Sequence, residues 1–113
     1  MLFYAFYKQT VADYAANIAL DSNGDFHVGS LSALAASLPQ HACVRLSVDG
    51  AKRGDGSSAG GMAVVVYGYD GAPQLMYRAG RLFDIQSSAF VAELLALEWG
   101  LAAFLEFVVK VSS

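Results

Sequence analysis

The sequence predicts an α/β domain in which a three-stranded antiparallel meander is followed by a long helix and the start of a parallel fourth strand. Alternating apolar residues after residue 43, glycine-containing breaks between strand-like runs, and a late segment of helical periodicity point to this class. The 113 residues fit one domain. With 56% apolar and only 15% charged residues, the chain is not disordered.

The meander is predicted from local patterns. The three expected strands cover residues 44–48, 62–69 and 74–82. The first alternates apolar and polar residues and ends at Asp49 and Gly50, after which a glycine-rich loop is expected over 51–61. The second is β-branched and shows too little alternation to be exposed on either face. An Asp-Gly pair at 70–71 predicts a tight turn between the second and third strands.

The helix is predicted to begin after Ser87 or Ser88, either of which can cap it, and to end near Phe107. Its apolar residues recur at helical spacing and are expected to pack on the sheet. This stripe comprises Phe90, Leu94, Leu97, Leu101, Phe104 and Leu105.

The predicted helix contains three acidic residues, one of which lies on its apolar face. Glu93 lies within the apolar stripe, where a carboxylate is costly unless it is paired or bound to a metal. Glu98 and Glu106 lie off the stripe and are expected to face solvent. Residues 108–112 predict the opening of a fourth strand, which would lie parallel to a neighbour because a crossover helix precedes it.

Residues 1–42 are expected to be a helical lead-in or connector, with the domain itself covering 43–113. Helical spacing predicts a helix over 10–20, ended by a turn cluster at 21–25. A short helix is predicted after Ser30 and would stop at Pro39.

Charge and composition exclude some classes of binding partner and cellular location. A net charge of −3 argues against binding nucleic acid through a basic patch, although contacts through metal ions and backbone amides remain open. A single cysteine allows no internal disulfide. No segment has the features of a signal peptide or a spanning helix. We therefore expect an intracellular protein of undefined compartment, with no membrane partner.

Three segments in order resemble a known family. They are VRLSVDG at 44–50, AGGMAVVVY at 59–67 and AELLALEWGL at 92–101. Together they resemble the N-terminal half of type 1 ribonuclease H, most closely the copies appended to reverse transcriptases of retroelements. The resemblance covers residues 43–113 and implies a ribonuclease H-like fold of which this chain is a truncated half.

The resemblance also implies a chemistry. Such enzymes hydrolyse the RNA strand of an RNA–DNA hybrid with two Mg²⁺ ions held by carboxylates. Asp49 and Glu93 would be the catalytic metal ligands in this chain. A reverse transcriptase or another neighbouring domain would be a further partner. The implied nucleic-acid contacts are Gly50, Lys52, Arg53, Gly60, Gly61 and Ser88, with Gly60 and Gly61 letting the backbone approach the sugar-phosphate strand.

The chain also departs from the family pattern. Ala89 and Phe90 stand where many members carry an asparagine pair. The third carboxylate, expected just past the run at 108–113, and the later elements have no counterpart. We therefore expect weak Mg²⁺ binding and no measurable hybrid cleavage by this chain.

Simpler interpretations stay open for each residue. Asp49 with Gly50 can initiate a turn, Glu93 can be a first-turn acid favoured by the helix dipole, and Lys52 with Arg53 can be a solvated loop tip. Two other functions also remain: a non-catalytic remnant that docks on a polymerase or another domain, and an unrelated small fold in which Asp49 and Glu93 lie far apart.

Overall fold

The computed structural model describes residues 2–7, 10–22, 24–39, 42–68, 70–83 and 86–112; for 2–7, 10, 21 and 22 it describes the backbone. The elements are β1 (Leu2–Tyr7), α1 (Thr10–Ser22), β2 (Phe26–Val28), α2 (Leu31–Ala36), β3 (Cys43–Lys52), β4 (Ser58–Tyr67), β5 (Pro73–Phe83) and α3 (Ala89–Ser112).

The strands form one five-stranded sheet in the order β1-β3-β4-β5-β2. Strands β3, β4 and β5 form the predicted antiparallel meander, and β2 extends it antiparallel to β5. Strand β1 lies parallel to β3 on the other edge, with Leu2 beside Cys43 and Tyr7 beside Val48. The predicted α/β class and the meander are confirmed.

Helices α1 and α3 cover opposite faces of this sheet. A Cβ atom built on Gly60 would meet Phe83 and Ala96 of the α3 side, whereas one built on Gly61 would meet the backbone of Ala12 in α1. Since successive strand residues point to opposite faces, the two helices lie on different sides. The result is a three-layer arrangement with the sheet in the middle.

The larger apolar core lies between the sheet and α3. It contains the inward residues of β3 and β4 together with Phe104 and Phe107 of α3 and Leu34 of α2. Ser30 caps α2 as predicted, because its hydroxyl accepts a hydrogen bond from the Ala33 amide at 3.2 Å.

Helix α3 docks through a different face from the one predicted. Its buried residues are Ala92, Ala96, Gly100, Phe104 and Phe107. Of the predicted stripe, Phe104 is buried and Leu97 partly so, whereas Phe90, Leu94, Leu101 and Leu105 are exposed. The reason is that α3 approaches β3 closely: even a Cβ on Gly100 would overlap the Val48 side chain. Small residues therefore face the sheet, and large ones are left outside.

The end of the chain also differs from the prediction. Residues 108–112 continue α3 instead of opening a fourth strand. Phe104, Phe107, Val108 and Val111 are spaced as one helical face, and all four pack on the α3-side core. That packing outweighs the strand preference of the β-branched residues. None of the helices in the described ranges combines the length and apolar character needed to cross a membrane.

The segment expected to be a lead-in is built into the sheet. It supplies both outer strands, β1 and β2, and the helix α1 that covers one face. The predicted helix over 10–20 is present as Thr10–Ser22. Four of its alanines, Ala12, Ala15, Ala16 and Ala19, are fully buried. The N-terminal segment and the meander therefore share one fold.

Candidate metal and nucleic-acid site

Asp49 lies in a regular strand and not at a turn. Strand β3 continues through it to Lys52, and Asp49 pairs with Gly61 of β4. Its side chain is 3% exposed, and its Oδ1 atom accepts a hydrogen bond from the Gly50 amide at 3.0 Å. The turn interpretation of Asp49 is therefore wrong. A carboxylate buried to this degree is costly unless it is hydrogen-bonded, ion-paired or bound to a metal.

Glu93 meets β3 at the residue next to Asp49. A Cβ atom built on Gly50 would lie 2.6 Å from the backbone nitrogen of Glu93 and equally close to the carbonyl group of Ala92. Only a glycine at position 50 permits this approach of the helix backbone to the strand. The two predicted carboxylate residues are thus neighbours across a single glycine, and Glu93 is half-buried.

Asp49 and Glu93 lie at opposite faces of the sheet: Asp49 projects towards the face covered by α1, whereas Glu93 belongs to α3 on the other face. Val48 and Gly50 face α3, as their contacts with Gly100 and Ala92 show. Alternation therefore directs the Cβ atom of Asp49 towards the α1 side. The sequence-based expectation that both carboxylates lie on the same side of the sheet is not met. They can approach each other only around the edge of β3, where the described pairing with β1 ends at Val48.

Helix α3 begins at Ala89. Ser88 caps the helix, because its hydroxyl accepts a hydrogen bond from the Val91 amide at 3.2 Å and its carbonyl accepts one from Ala92 at 3.0 Å. Of the two predicted caps, Ser88 is therefore the one used. The first turn of α3 contains no acidic residue, so the interpretation of Glu93 as a first-turn acid favoured by the helix dipole is wrong.

Gly60 and Gly61 serve helix packing. Both are buried; Gly60 lies beneath Ala96 and the Phe83 ring, and Gly61 lies against the backbone of α1. The prediction that they admit a sugar-phosphate backbone therefore does not fit their place in the fold, because the helices already occupy the space in front of them.

Lys52 and Arg53 lie at the far end of the β3–β4 hairpin. Lys52 is exposed, while Arg53 is half-buried and closes the loop through backbone hydrogen bonds with Ser57 and Gly56. Within this loop, hydrogen bonds from the Ser57 hydroxyl and amide lower the pKa of Asp55. The two basic residues are about 10–13 Å along the chain from Asp49.

Two buried hydroxyls beside the site were not singled out by the sequence. Ser47, 3% exposed, lies two positions before Asp49 on the same face of β3. Ser58, 1% exposed, lies within 3.4 Å of the Ser87 hydroxyl and so links β4 to the segment entering α3. Ser58 belongs to a Ser-Ser pair of the kind common in turns, so the sequence gave no sign that its side chain is buried.

The carboxylates of Asp49 and Glu93 are the type of ligand that a hard cation such as Mg²⁺ prefers, but there are only two of them in this candidate site. Mg²⁺ prefers oxygen ligands and keeps several waters, so carboxylates are suitable partners. Among the residues whose placement is described, no group of three or more histidine, cysteine, aspartate or glutamate side chains is arranged to hold a metal ion. The site thus offers two candidate acidic ligands, Asp49 and Glu93.

The chain matches no protein-family model, no curated protein and no solved structure.

Proposed function

We propose that this chain is a ribonuclease H-like domain with a partial magnesium site, which associates with an RNA–DNA hybrid but does not hydrolyse it unaided. The observation that carries the proposal is the contact between Gly50 and the Glu93 backbone. It makes neighbours of two acidic residues that are 44 positions apart in the sequence. The contact supports the proposal because it brings the helix residue Glu93 to the strand position next to Asp49.

The order of the elements supports the same proposal. Three consecutive antiparallel strands are followed by a helix that crosses their face, which is the arrangement implied by the resemblance. The resemblance implies a strand after the helix that lies parallel to a neighbour in the sheet and brings a further carboxylate. In this chain β1 lies parallel to β3, and its residues, LFYAFY, include no acid.

The proposed roles follow from position. Asp49 and Glu93 would hold Mg²⁺ at the edge of β3, and the ion would supply charge stabilisation for a phosphate. Lys52 and Arg53 would contact the nucleic-acid backbone as point and forked charges. Two carboxylates leave most of the coordination sphere to water, so binding should be weak.

The test combines a cleavage assay with a metal titration. Purified protein is incubated with an RNA–DNA hybrid and Mg²⁺, and Mg²⁺ binding is followed by amide chemical shifts. We expect no cleavage, and weak binding that is lost in Asp49→Asn and in Glu93→Gln. Glu106→Gln is the matched control, because Glu106 lies exposed on the same helix.

Two outcomes would overturn parts of the proposal. Cleavage that disappears in Asp49→Asn would keep the nuclease assignment and reject the partial site. Absence of Mg²⁺ binding, or binding that neither substitution changes, would reject the site itself.

A non-catalytic interaction module is the second candidate. It is favoured by the large apolar side chains that α3 leaves exposed, because soluble monomers rarely expose such a continuous apolar surface without a partner. In that case Asp49→Asn would leave binding to the partner unchanged, whereas a lysine on the exposed face of α3 would abolish it.

A further inference from the structure

The outer face of α3 carries a strip of large apolar residues. We define the outer strip as Phe90, Leu94, Leu101 and Leu105, which are 67%, 49%, 42% and 64% exposed. At 3.6 residues per turn these four side chains fall within about 60° of the helix circumference. They lie opposite the face that docks on the sheet. Val91 and Val109, also exposed, flank the strip.

The outer strip is symmetric along the helix. Leu94 and Leu101 lie at equal distances on either side of the point between Leu97 and Glu98, as do Phe90 and Leu105. The offsets are about 5 Å for the inner pair and about 11 Å for the outer pair. A second copy running antiparallel about a twofold axis at this point would place Leu94 on its Leu101 and Phe90 on its Leu105.

We propose that two copies of this chain associate through the outer strip, with their α3 helices antiparallel. The strip and its flanking valines expose on the order of 500 Å² per molecule, near the upper limit for one patch on a monomer. Two copies would therefore bury about 1,000 Å², the lower bound of a specific interface. The symmetry favours a second copy over an unrelated partner, because a twofold interface has to complement itself.

The three-layer arrangement leaves room for this pairing. The strip is on the side of α3 that points away from the sheet, so the two sheets would be separated by two layers of helix. Ridges of side chains four residues apart are the ordinary contact between packed helices. The association should be reversible and concentration-dependent, since the area is small.

Glu98 lies beside the centre of the outer strip, so its charge should affect how tightly two copies associate. It is exposed, and in the antiparallel arrangement it comes within about 2 Å, along the helix axis, of the same residue in the second copy. Two like charges then face each other. Glu98→Gln should therefore tighten the association about two- to threefold, as expected for removal of an exposed like-charge pair.

Sedimentation equilibrium tests the dimer. The mass of the unmodified chain should rise with concentration from 11.9 kDa towards twice that value. Leu101→Lys should remain monomeric, because it buries a charge at the centre of the strip. Met76→Lys is the matched control, since Met76 is 43% exposed but lies on β5. Circular dichroism checks that both variants are folded.

The proposal is overturned if the unmodified chain stays monomeric throughout the concentration range, as it would if the strip serves a different partner. It is equally overturned if folded Leu101→Lys associates as the unmodified chain does, or if Met76→Lys disrupts association to the same extent.

Disulfide trapping tests the orientation in a Cys43→Ala background, which removes the native thiol. Glu98→Cys should form a covalent dimer on mild oxidation, because the two positions meet near the axis. Ala102→Cys should not, because its positions would be about 13 Å apart along the helices. Equal trapping of both variants would indicate a parallel pair and reject the proposed arrangement.

Discussion

Helices α1 and α3 dock on the same sheet in the same way but differ in what they leave outside. Each presents small residues to glycines in the strands: alanines of α1 face Gly61 and Gly80, and Ala92 and Ala96 of α3 face Gly50 and Gly60. The outer face of α1 carries Asp13, Tyr14 and Asn17, all exposed. The outer face of α3 carries the apolar outer strip.

The difference shows that docking and burial of large side chains are separate requirements. A helix that approaches a sheet closely has to use small residues there, and its large residues are then placed elsewhere. In α1 the remaining positions include polar residues suited to water. In α3 they are mostly apolar, so that helix has a second face suited to protein contact, which α1 lacks.

The largest expected change in the free energy of unfolding comes from comparing a substitution on the docking face of α3 with one on its outer face. Phe107 is 1% exposed and stacks with Phe104 at 6.0 Å between ring centroids, whereas Leu105 is 64% exposed. Phe107→Ala should lower the free energy of unfolding by about 4 kcal/mol. Leu105→Ala should change it by less than about 0.5 kcal/mol. Urea denaturation of dilute protein measures both, and similar losses for the two variants would contradict the assignment of faces.

The next effect concerns the docking of α1. Gly61 lies under the middle of the helix, and an added Cβ would overlap the Ala12 carbonyl and lie 2.5 Å from the Ala16 amide nitrogen. Because backbone atoms cannot rotate away, Gly61→Ala should cost about 3 kcal/mol.

Gly54→Ala is the control for that substitution, since nothing lies within 4 Å of its added Cβ. It should be neutral or slightly stabilising in the same denaturation experiment. If Gly61→Ala were equally neutral, α1 would not be packed on the strand as closely as described.

Local patterns were sufficient to predict the meander but not the edges of the sheet. Alternation and β-branched runs identify β3, β4 and β5 because those signals lie within each strand. Residues 2–7 are aromatic and aliphatic, which is typical of strands. Their parallel place beside β3, however, depends on a partner forty residues away, and no local signal encodes it. The short strand β2 was not predicted for the same reason, because its partner β5 is also distant in the sequence.

The docking face of α3 could not be found from periodicity, because a pattern of large residues marks the most apolar face and not the closest contact. Phe90 and Leu105 fit the stripe and are exposed, while Ala92 and Ala96 were passed over and are buried. Only the glycines of the facing strands explain this choice, and their effect is visible only once the strands are placed.

For the candidate site, the resemblance implied that Asp49 and Glu93 lie on the same side of the sheet, and the structure instead places them on neighbouring elements at opposite faces. The resemblance did not predict this, because it depends on the strand continuing through Asp49. Nor can a sequence distinguish a glycine kept for a ligand from one kept for a helix, as Gly60 and Gly61 illustrate. The neighbouring element decides which it is.

The smallest expected loss of stability is for Gly50→Ala, which should also affect Mg²⁺ binding by Asp49 and Glu93. Gly50→Ala places a Cβ 2.6 Å from the backbone of Ala92 and Glu93. The contact lies in the first turns of α3, where a helix end can swing outwards, so the cost should be about 2 kcal/mol, less than for Gly61→Ala. The same movement carries Glu93 away from Asp49, and we therefore expect Mg²⁺ binding to be lost in a protein that remains folded.

Gly60→Ala is the matched control, because Gly60 pairs directly with Gly50 and faces the same helix. The atoms nearest to its added Cβ would be those of the Phe83 ring, which can rotate, and the Ala96 Cβ, whereas those nearest to a Cβ on Gly50 are backbone atoms of Ala92 and Glu93. It should therefore cost stability while leaving Mg²⁺ binding in place. If the two variants affected binding equally at matched stability, the Gly50–Glu93 contact would matter for packing alone, and α3 would resemble α1 in having no role at a site.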